Sequence, residues 1–526
     1  MESPEIITSQ QRLTFLKSLD DLFPTNSQAE KDQYDLLQKK FAEQFEFIFP
    51  DHLAPKTIVV VPSLSLDQEI LCKIDGFIHY EERLLCLLIL LRMPCTHVIY
   101  ISSTTIDPVI IDYYLHLLPG IMGYHAKQRL TLLSCYDSSA VSLTQKILNR
   151  PRLIERIIKA IPQGHAGHLA CFNVTSLERT LAVKLSLPIY GSDPDLLYLG
   201  TKSGGRKLLR ECGLPIPDGV EDLKNEDDIA NALVGLKQKY PDLKRAVVKM
   251  NDGFSGEGNA IFYFDGFPFD DTNFDWVQAA QKNQLHIIAV GLSYESFLQK
   301  FNEEGGIVEV FIEGKIKTSP SVQCRITPVG KVEIISTHDQ LLGGAGDQVF
   351  LGATFPAQPA YHSIISDLAN TASEKMCQLG VLGRFSIDFI SVQNEDATWT
   401  HYAIEINLRK GGTTHPYLML QFLTDGHYDH VSGQYLTATQ QPRFYFSSDN
   451  LQRPSFKGLT PHDLMEIASF HNLLYDGSKQ EGVMFHLIGA LSQYGKLGVL
   501  CIGSSPERAT QLYEQTLQVL IQETKY

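Results

Sequence analysis

The chain has 526 residues, of which 44% are hydrophobic, so it is long enough to bury more than one core, and two to four domains are expected. Its 45 basic and 60 acidic residues leave a formal net charge of −15, which argues against a dedicated nucleic-acid binder, since such a protein needs a basic face to neutralise phosphates. Nine scattered cysteines, odd in number and without a CxxC pair, fit a reduced, cytoplasmic protein better than a disulfide framework.

The first 23 residues lack a basic region followed by an apolar one, so no signal peptide is read there. Residues 1–50 read as an amphipathic helical segment. Strand-like and helical stretches then alternate: "KTIVVVPS" (56–63), "HYEERLLCLLILLR" (79–92), "HVIYISS" (97–103), "PVIIDYYLHLL" (108–118), "QRLTLLSC" (128–135) and "VSLTQKILN" (141–149). Apolar strands alternating with helices predict a parallel sheet covered on both faces. The apolar run Leu84–Leu91 is far too short to cross a bilayer and reads as a buried helix, so no membrane partner is expected.

"QGHAGH" (163–168) reads as a linker, and a second unit is expected to start at "HLACFNVTSLERTLAVKLSLPIYG" (168–191). "TKSGGRKLLRECGLPIPDG" (201–219) is a helix stopped by Gly213 and Pro215. From 246 to about 410 short alternating strands predict an antiparallel α+β region, crossed by a helix over 363–380. The tail from 456 is helix-rich, with "KLGVLCIG" as its last strand.

Three stretches carry chemistry. In "VVKMNDGFSGEGNAIF" (247–262), Lys249 ends an apolar strand. A loop with Gly253, Ser255, Gly256 and Gly258 precedes the next strand. Strand, glycine-rich flap and strand form a hairpin able to cover phosphates with backbone N–H groups, the Ser255 hydroxyl and the Lys249 charge. It is neither a GxxxxGK(S/T) loop nor a GxGxxG turn. In "GIVEVFIEGKI" (306–316), a strand bearing Glu309 runs into a turn at Glu313-Gly314, a segment able to offer the backbone of Phe311 and Ile312 to a flat heterocycle. In "EINLRKGGTTHP" (405–416), Glu405, Asn407 and Arg409 share one strand face. Antiparallel pairing with "RFSIDFISV" would bring Asp388 near Glu405 and Asn407, an all-oxygen set that suits Mg²⁺. Arg409 would offer a planar fork, and the Gly411-Gly412 turn free N–H groups, to an anion. Each stretch alone also reads as ordinary: a charge ladder, a glycine-rich hairpin, a turn.

Their order is more specific. Lys202 before a helix, Lys249 and its flap, the Glu309–Ile312 hinge, a distant Asp and then ExNxR resemble the ATP-grasp superfamily of ligases, over about residues 185–425. "PSLSLD" (62–67), "HYEERLL" (79–85), "LGTKSGGRKLLRECGLPIP" (199–217), "SPSVQCRI" (319–326) and "HDQLLGG" (338–344) resemble its branch of pheganomycin-type peptide ligases. The resemblance implies a mixed α/β and α+β protein. A Rossmann-like pre-ATP-grasp domain (1–165) and a linker and lead-in (166–200) would precede a two-lobed ATP-grasp domain (201–455) and a small helix-rich C-terminal domain (456–526). It implies ATP held at its phosphates by Lys202 and Lys249, the latter also near the adenine edge. Glu309, Phe311 and Ile312 would face adenine, with Glu313 toward the ribose. Mg²⁺ or Mn²⁺ would sit on Asp388, Glu405 and Asn407. Arg409, Arg325 or Arg384 would stabilise the transferred phosphoryl group. Ser321, Gln323 and Arg325 would line the acceptor pocket.

The implied reaction joins a small-molecule carboxylate to an amine, amino acids or peptides, through an acyl-phosphate, in a protein compatible with homo-oligomer formation. An ATP-grasp phosphotransferase and a nucleotide-binding scaffold are the alternatives. The histidines of "HYDH" (427–430) and "GHAGH" (164–168) lack partner cysteines and a helical HExxH, and read as loop residues rather than zinc ligands. Cys324 reads as an apolar filler, and His338 and His415 as hydrogen-bonded neighbours of the site. If the glycine-rich hairpin covers phosphates, Gly256→Val is expected to weaken ATP binding, measured calorimetrically, more than it lowers Tm; unchanged affinity would make the stretch an ordinary turn.

Overall fold

The valine-rich strand β1 (Lys56–Val61) is buried along its whole length, and its alternate residues enter two different cores. Val59 and Val61 pack with Ile99, Ile101 and residues of the helices Gln28–Ile48, Pro151–Ala160 and Ser176–Leu185. Ile58 and Val60 pack on the opposite face with Val98, Tyr100 and Leu84–Leu88. Helices on both faces are what a parallel sheet requires, and the pairing is parallel throughout, in the order β3 (Leu130–Ser134), β2 (Thr96–Ser102), β1, β4 (Ala166–Cys171). This computed structural model describes residues 6–18, 24–66, 68–253, 258–289, 291–343 and 349–525.

The stretch read as a linker and lead-in is therefore partly the fourth strand of the first sheet. Small residues hide it: "AGHLAC" has little β-branched character. Its burial makes those residues necessary, since a Cβ on Gly167 would come within 2.8 Å of Leu187 Cδ2.

The segment Phe77–Arg92 is a helix as expected, but wound as a 3₁₀ helix. In that winding residues three apart eclipse each other. Tyr80 and Arg83 are accordingly stacked, with the guanidinium carbon 4.2 Å from the Tyr80 ring centre.

Two antiparallel sheets follow. The smaller has the order β5 (Gly219–Leu223), β9 (Gly306–Val310), β6 (Arg245–Met250), β7 (Asn259–Tyr263), β8 (Leu285–Ile287). The larger has eight strands in the order β14 (Trp399–Asn407), β13 (Gly383–Gln393), β10 (Lys317–Ile326), β11 (Val332–Gly343), β12 (Val349–Phe355), β17 (Phe444–Gln452), β19 (Lys496–Gly503), β18 (Gly482–His486). Strands β15 (His427–Asp429) and β16 (Gln434–Leu436) form a separate pair.

The tail is helix-rich, as expected, and is joined to the large sheet. It supplies two strands to the large sheet, and the polar strand β17, "FYFSSDNLQ", joins them by pairing with β12 on one side and β19 on the other. Its helix Pro506–Glu523 packs on these strands. The residues of "HYEER" also reach this tail: Glu82 accepts the Gly489 N–H at 3.1 Å, and Lys496 Nζ donates to the Tyr80 hydroxyl at 2.8 Å. No helix among the described residues is long and apolar enough to cross a membrane.

Candidate active site

A cavity of about 1610 Å³ lies between the small and the large antiparallel sheets, with Tyr80 and Arg83 of the 3₁₀ helix in its wall. On the small-sheet side, β6 and β9 run antiparallel with Val247 opposite Glu309 and Lys249 opposite Ile307. Lys249 Nζ is 2.6 Å from Glu309 Oε1, and Arg206 Nη1 donates to Glu309 Oε2 at 2.7 Å. Glu309 is 2% exposed, so both of its oxygens are taken by buried cations. Arg206 was not singled out from the sequence, although it stands one helical turn after Lys202, on the same face of the helix Lys202–Glu211.

Phe311 and Ile312 line the cavity. The Phe311 ring lies 3.8 Å from the Arg245 guanidinium carbon and 4.6 Å from Lys317 Nζ. Glu313 is placed elsewhere: its carboxylate is exposed and held by Arg245 Nε and Nη2 at 2.8 and 2.9 Å, outside the cavity lining. Gly253 and Gly258 line the cavity, and a Cβ on Gly253 would stand 3.3 Å from the Gly258 Cα. Ser255 and Gly256 lie outside the described residues.

On the large-sheet side, the hairpin β13–β14 pairs Asp388 with Glu405 and Ser386 with Asn407, the arrangement expected from the alternation of the two strands. Asp388 accepts hydrogen bonds from the Ser321 hydroxyl at 2.6 Å and from Asn407 Nδ2 at 2.9 Å. Lys202 Nζ lies 2.5 Å from Glu405 Oε1. Burial, with the Glu405 charge added, pushes the Asp388 carboxyl up to about 6. Burial works against ionisation of Glu405 as well, yet Lys202, Lys249 and Arg409 bring its pKa below the ordinary carboxylate value. Two carboxylates and an amide oxygen at one place form a hard donor set, and the like charges facing each other leave a deficit that a divalent cation would fill, so these residues fit Mg²⁺.

The three candidate arginines separate. Arg409 lines the cavity beyond the end of β14, its pKa lowered by burial. Arg325 and Arg384 face each other across β10 and β13, on the same sheet face as Asp388 but further along it, away from the cavity lining. Arg325 Nε donates to Glu333 at 2.6 Å, and burial beside Arg325 pushes Arg384 down to about 10. Ser321 lines the cavity, whereas Gln323 donates to the Thr413 carbonyl at 2.8 Å and braces the loop after Arg409. That loop does not present the N–H of Gly411 freely, since it donates to Thr414 Oγ1 at 3.0 Å. The close approach falls on Gly412, where a Cβ would meet the Phe350 ring at 2.8 Å. Arg83, missed in the sequence because its partner Asp449 is 366 residues away, brings another guanidinium to the same wall. His338 is buried against the Tyr445 hydroxyl at 2.6 Å, and burial pushes the Cys324 thiol up to about 12, as befits a core filler.

Residues 195–285 and 280–431 match the family model described as IQCH-like, ATP-grasp. Residues 195–431 of the chain are thus similar to ATP-grasp proteins. Beyond that region, residues 463–516 match the PGM1 C-terminal domain. The L-propargylglycine–L-glutamate ligase of Streptantibioticus cattleyicolor is 27% identical over 489 residues, 91% of this chain and 96% of that protein. IQ motif-containing protein H of Danio rerio is 22% identical over 522 residues, 89% of this chain but 49% of that protein, so the chain spans about half its length. A similar fold is found in the biotin carboxylase domain of Hydrogenobacter thermophilus 2-oxoglutarate carboxylase, solved with MgADP, ADP and bicarbonate. Its TM-score is 0.53 at 13% identity, covering 88% of this chain and 89% of that one.

The facing carboxylates give an expected outcome. An acid whose pKa is raised on folding stabilises the protein below its unfolded value and loses that contribution as pH rises through its folded value. Asp388→Asn, in protein freed of nucleotide and metal, is therefore expected to raise Tm above that of wild type at pH 7 to 8. The gain should shrink from about pH 6 downward and vanish near pH 4. Thermal unfolding across this range checks it. A substitution that lowers Tm at pH 8 would mean that the Asp388 charge is already compensated.

Proposed function

We propose that this protein is an ATP-dependent ligase that joins a carboxylate to an amine, with amino acids as the substrate class. The observation that carries this reading is the placement of Asp388 and Glu405 opposite each other in a cavity also lined by Lys249, Lys202, Arg409 and Arg83. The relative named for ligating L-propargylglycine and L-glutamate aligns along 91% of the chain, which supports the substrate class.

In this reading Asp388, Glu405 and Asn407 would hold Mg²⁺, which when bound supplies charge neutralisation at the phosphates. Lys202 and Lys249 take the phosphate oxygens, and each is already poised by a carboxylate of the same cavity, Glu405 and Glu309. Phe311 and Ile312 take the base. The substrate carboxylate attacks the γ-phosphorus, giving an acyl-phosphate and ADP. The amine then attacks the acyl carbon, loses a proton and releases phosphate. Positioning and fixed charge do most of this work. Arg409 and Arg83, on the wall beyond the carboxylate pair, are placed to hold the substrate carboxylate and the acyl-phosphate.

ADP release is expected to depend on an added amino acid, and hydroxylamine should replace the natural amine and trap a hydroxamate. Arg409→Lys keeps the charge but loses the fork, so hydroxamate yield should fall about 10-fold or more while ATP affinity changes less than about 3-fold. A stable phosphorylated product with no hydroxamate would favour a phosphotransferase, and turnover that no acid stimulates would favour a nucleotide-binding scaffold.

A further inference from the structure

Past Arg409 and the glycine turn, the helix Thr414–Thr424 carries His415 in its first turn. His415 Nε2 lies 2.9 Å from His486 Nε2, at the end of β18, and 3.3 Å from Asp449 Oδ1, on β17. His486 Nε2 lies 2.8 Å from the same oxygen. All three side chains are buried. Three donor atoms from three distant parts of the chain thus form a nearly equilateral triangle.

Hydrogen bonds alone satisfy such a triangle poorly. An N–H points at one partner, so two ring protons would serve both nitrogen–oxygen edges only by turning two N–H groups toward each other's side across 2.9 Å. A single proton would leave one ring nitrogen facing the carboxylate with nothing between them. A shared cation satisfies all three atoms at once. Donors bound at about 2.1 Å stand about 3.0 Å apart when cis on an octahedron and about 3.4 Å apart on a tetrahedron. Of the observed edges, the 3.3 Å one falls between these values and those of 2.8 and 2.9 Å lie just below the shorter.

The surroundings agree. Arg83 Nη2 donates to the other oxygen of Asp449 at 2.5 Å, which orients the carboxylate and leaves Oδ1 to the triangle. Burial opposes the Asp449 charge, and the Arg83 guanidinium offsets that cost. The His486 ring stands in space left by Gly498, where a Cβ would overlap its Nε2 at 2.1 Å.

We propose that His415, Asp449 and His486 bind one divalent first-row transition ion of the zinc class, a site distinct from the all-oxygen set of Asp388, Glu405 and Asn407. Two imidazoles and one carboxylate suit a borderline ion and discriminate against Mg²⁺. The ion ties the helix that follows the Arg409 loop to β17 and β18, and so fixes the cavity wall that carries Arg83. The proposal stands apart from the ligase reading, since it needs neither nucleotide nor turnover.

The test uses the full chain, stripped with EDTA, dialysed, and titrated with Co²⁺ in excess Mg²⁺ so that the oxygen site is occupied. Wild type is expected to take up one Co²⁺ per chain with the visible absorption of imidazole ligation, and Zn²⁺ should displace it and raise Tm. His415→Gln and His486→Gln should each weaken the ion by more than about 100-fold, beyond the loss typical of an outer partner, while Asp388→Asn retains it. Circular dichroism reports whether each variant folds, and the wild-type titration decides even where one does not. Absence of the visible band in wild type, its persistence in folded histidine variants, or its loss in Asp388→Asn would overturn the proposal.

Discussion

Two carboxylates, Asp388 and Glu405, face each other across one antiparallel hairpin, and much of the surrounding structure answers that constraint. Burial, with the facing Glu405 charge added, raises the pKa of Asp388, whereas the neighbouring cations lower that of Glu405. Lys202 is brought to Glu405 by the start of a helix, Thr201 capping it by accepting the Gly204 N–H. The same helix sends Arg206 to Glu309, which in turn holds Lys249 at the opposite wall. Two cations of one helix, Lys202 and Arg206, thus tie Glu405 of the large sheet and Glu309 of the small sheet to the same element. This arrangement leaves the carboxylate pair short of one more cation.

The far wall depends on a different set of contacts. The 3₁₀ winding of Phe77–Arg92 aligns Tyr80 and Arg83, and both are held by the tail: Tyr80 by Lys496, Arg83 by Asp449. The first sheet and the tail share one hydrophobic core, so Leu84 and Leu88 pack in the same cluster as Leu497 and Val499. A guanidinium from residue 83 thus faces a cavity built mostly by residues 200 to 450, because the tail clamps it there.

The sequence made the hairpin legible because both strands alternate cleanly and a polar turn separates them, which fixes register and hence the facing of Asp388 and Glu405. Lys202 and Lys249 were legible for a similar reason, each standing at the edge of a well-marked element. Other features had no local signal. The strand Ala166–Cys171 is rich in small residues, and β17 is half polar, with Ser447 and Ser448 donating to carbonyls of β12 and Asp449 and Asn450 lining the cavity. Arg206, Arg83 and the grouping of His415, Asp449 and His486 exist only through pairings across tens to hundreds of residues. Arg325 and Arg384 share the sheet face of Asp388 but stand further along it, outside the cavity lining, a distance that alternation alone does not give.

The account's central claim is that the carboxylate pair directs the γ-phosphoryl group of ATP to a substrate carboxylate. The most direct measurement follows oxygen. An amino acid that stimulates ADP release is supplied with ¹⁸O in its carboxylate, together with the amine it is joined to, and the released phosphate is analysed by mass. The account predicts one ¹⁸O in each phosphate formed with wild type, and no labelled phosphate with Asp388→Asn. Amide product formed by wild type with unlabelled phosphate would contradict it.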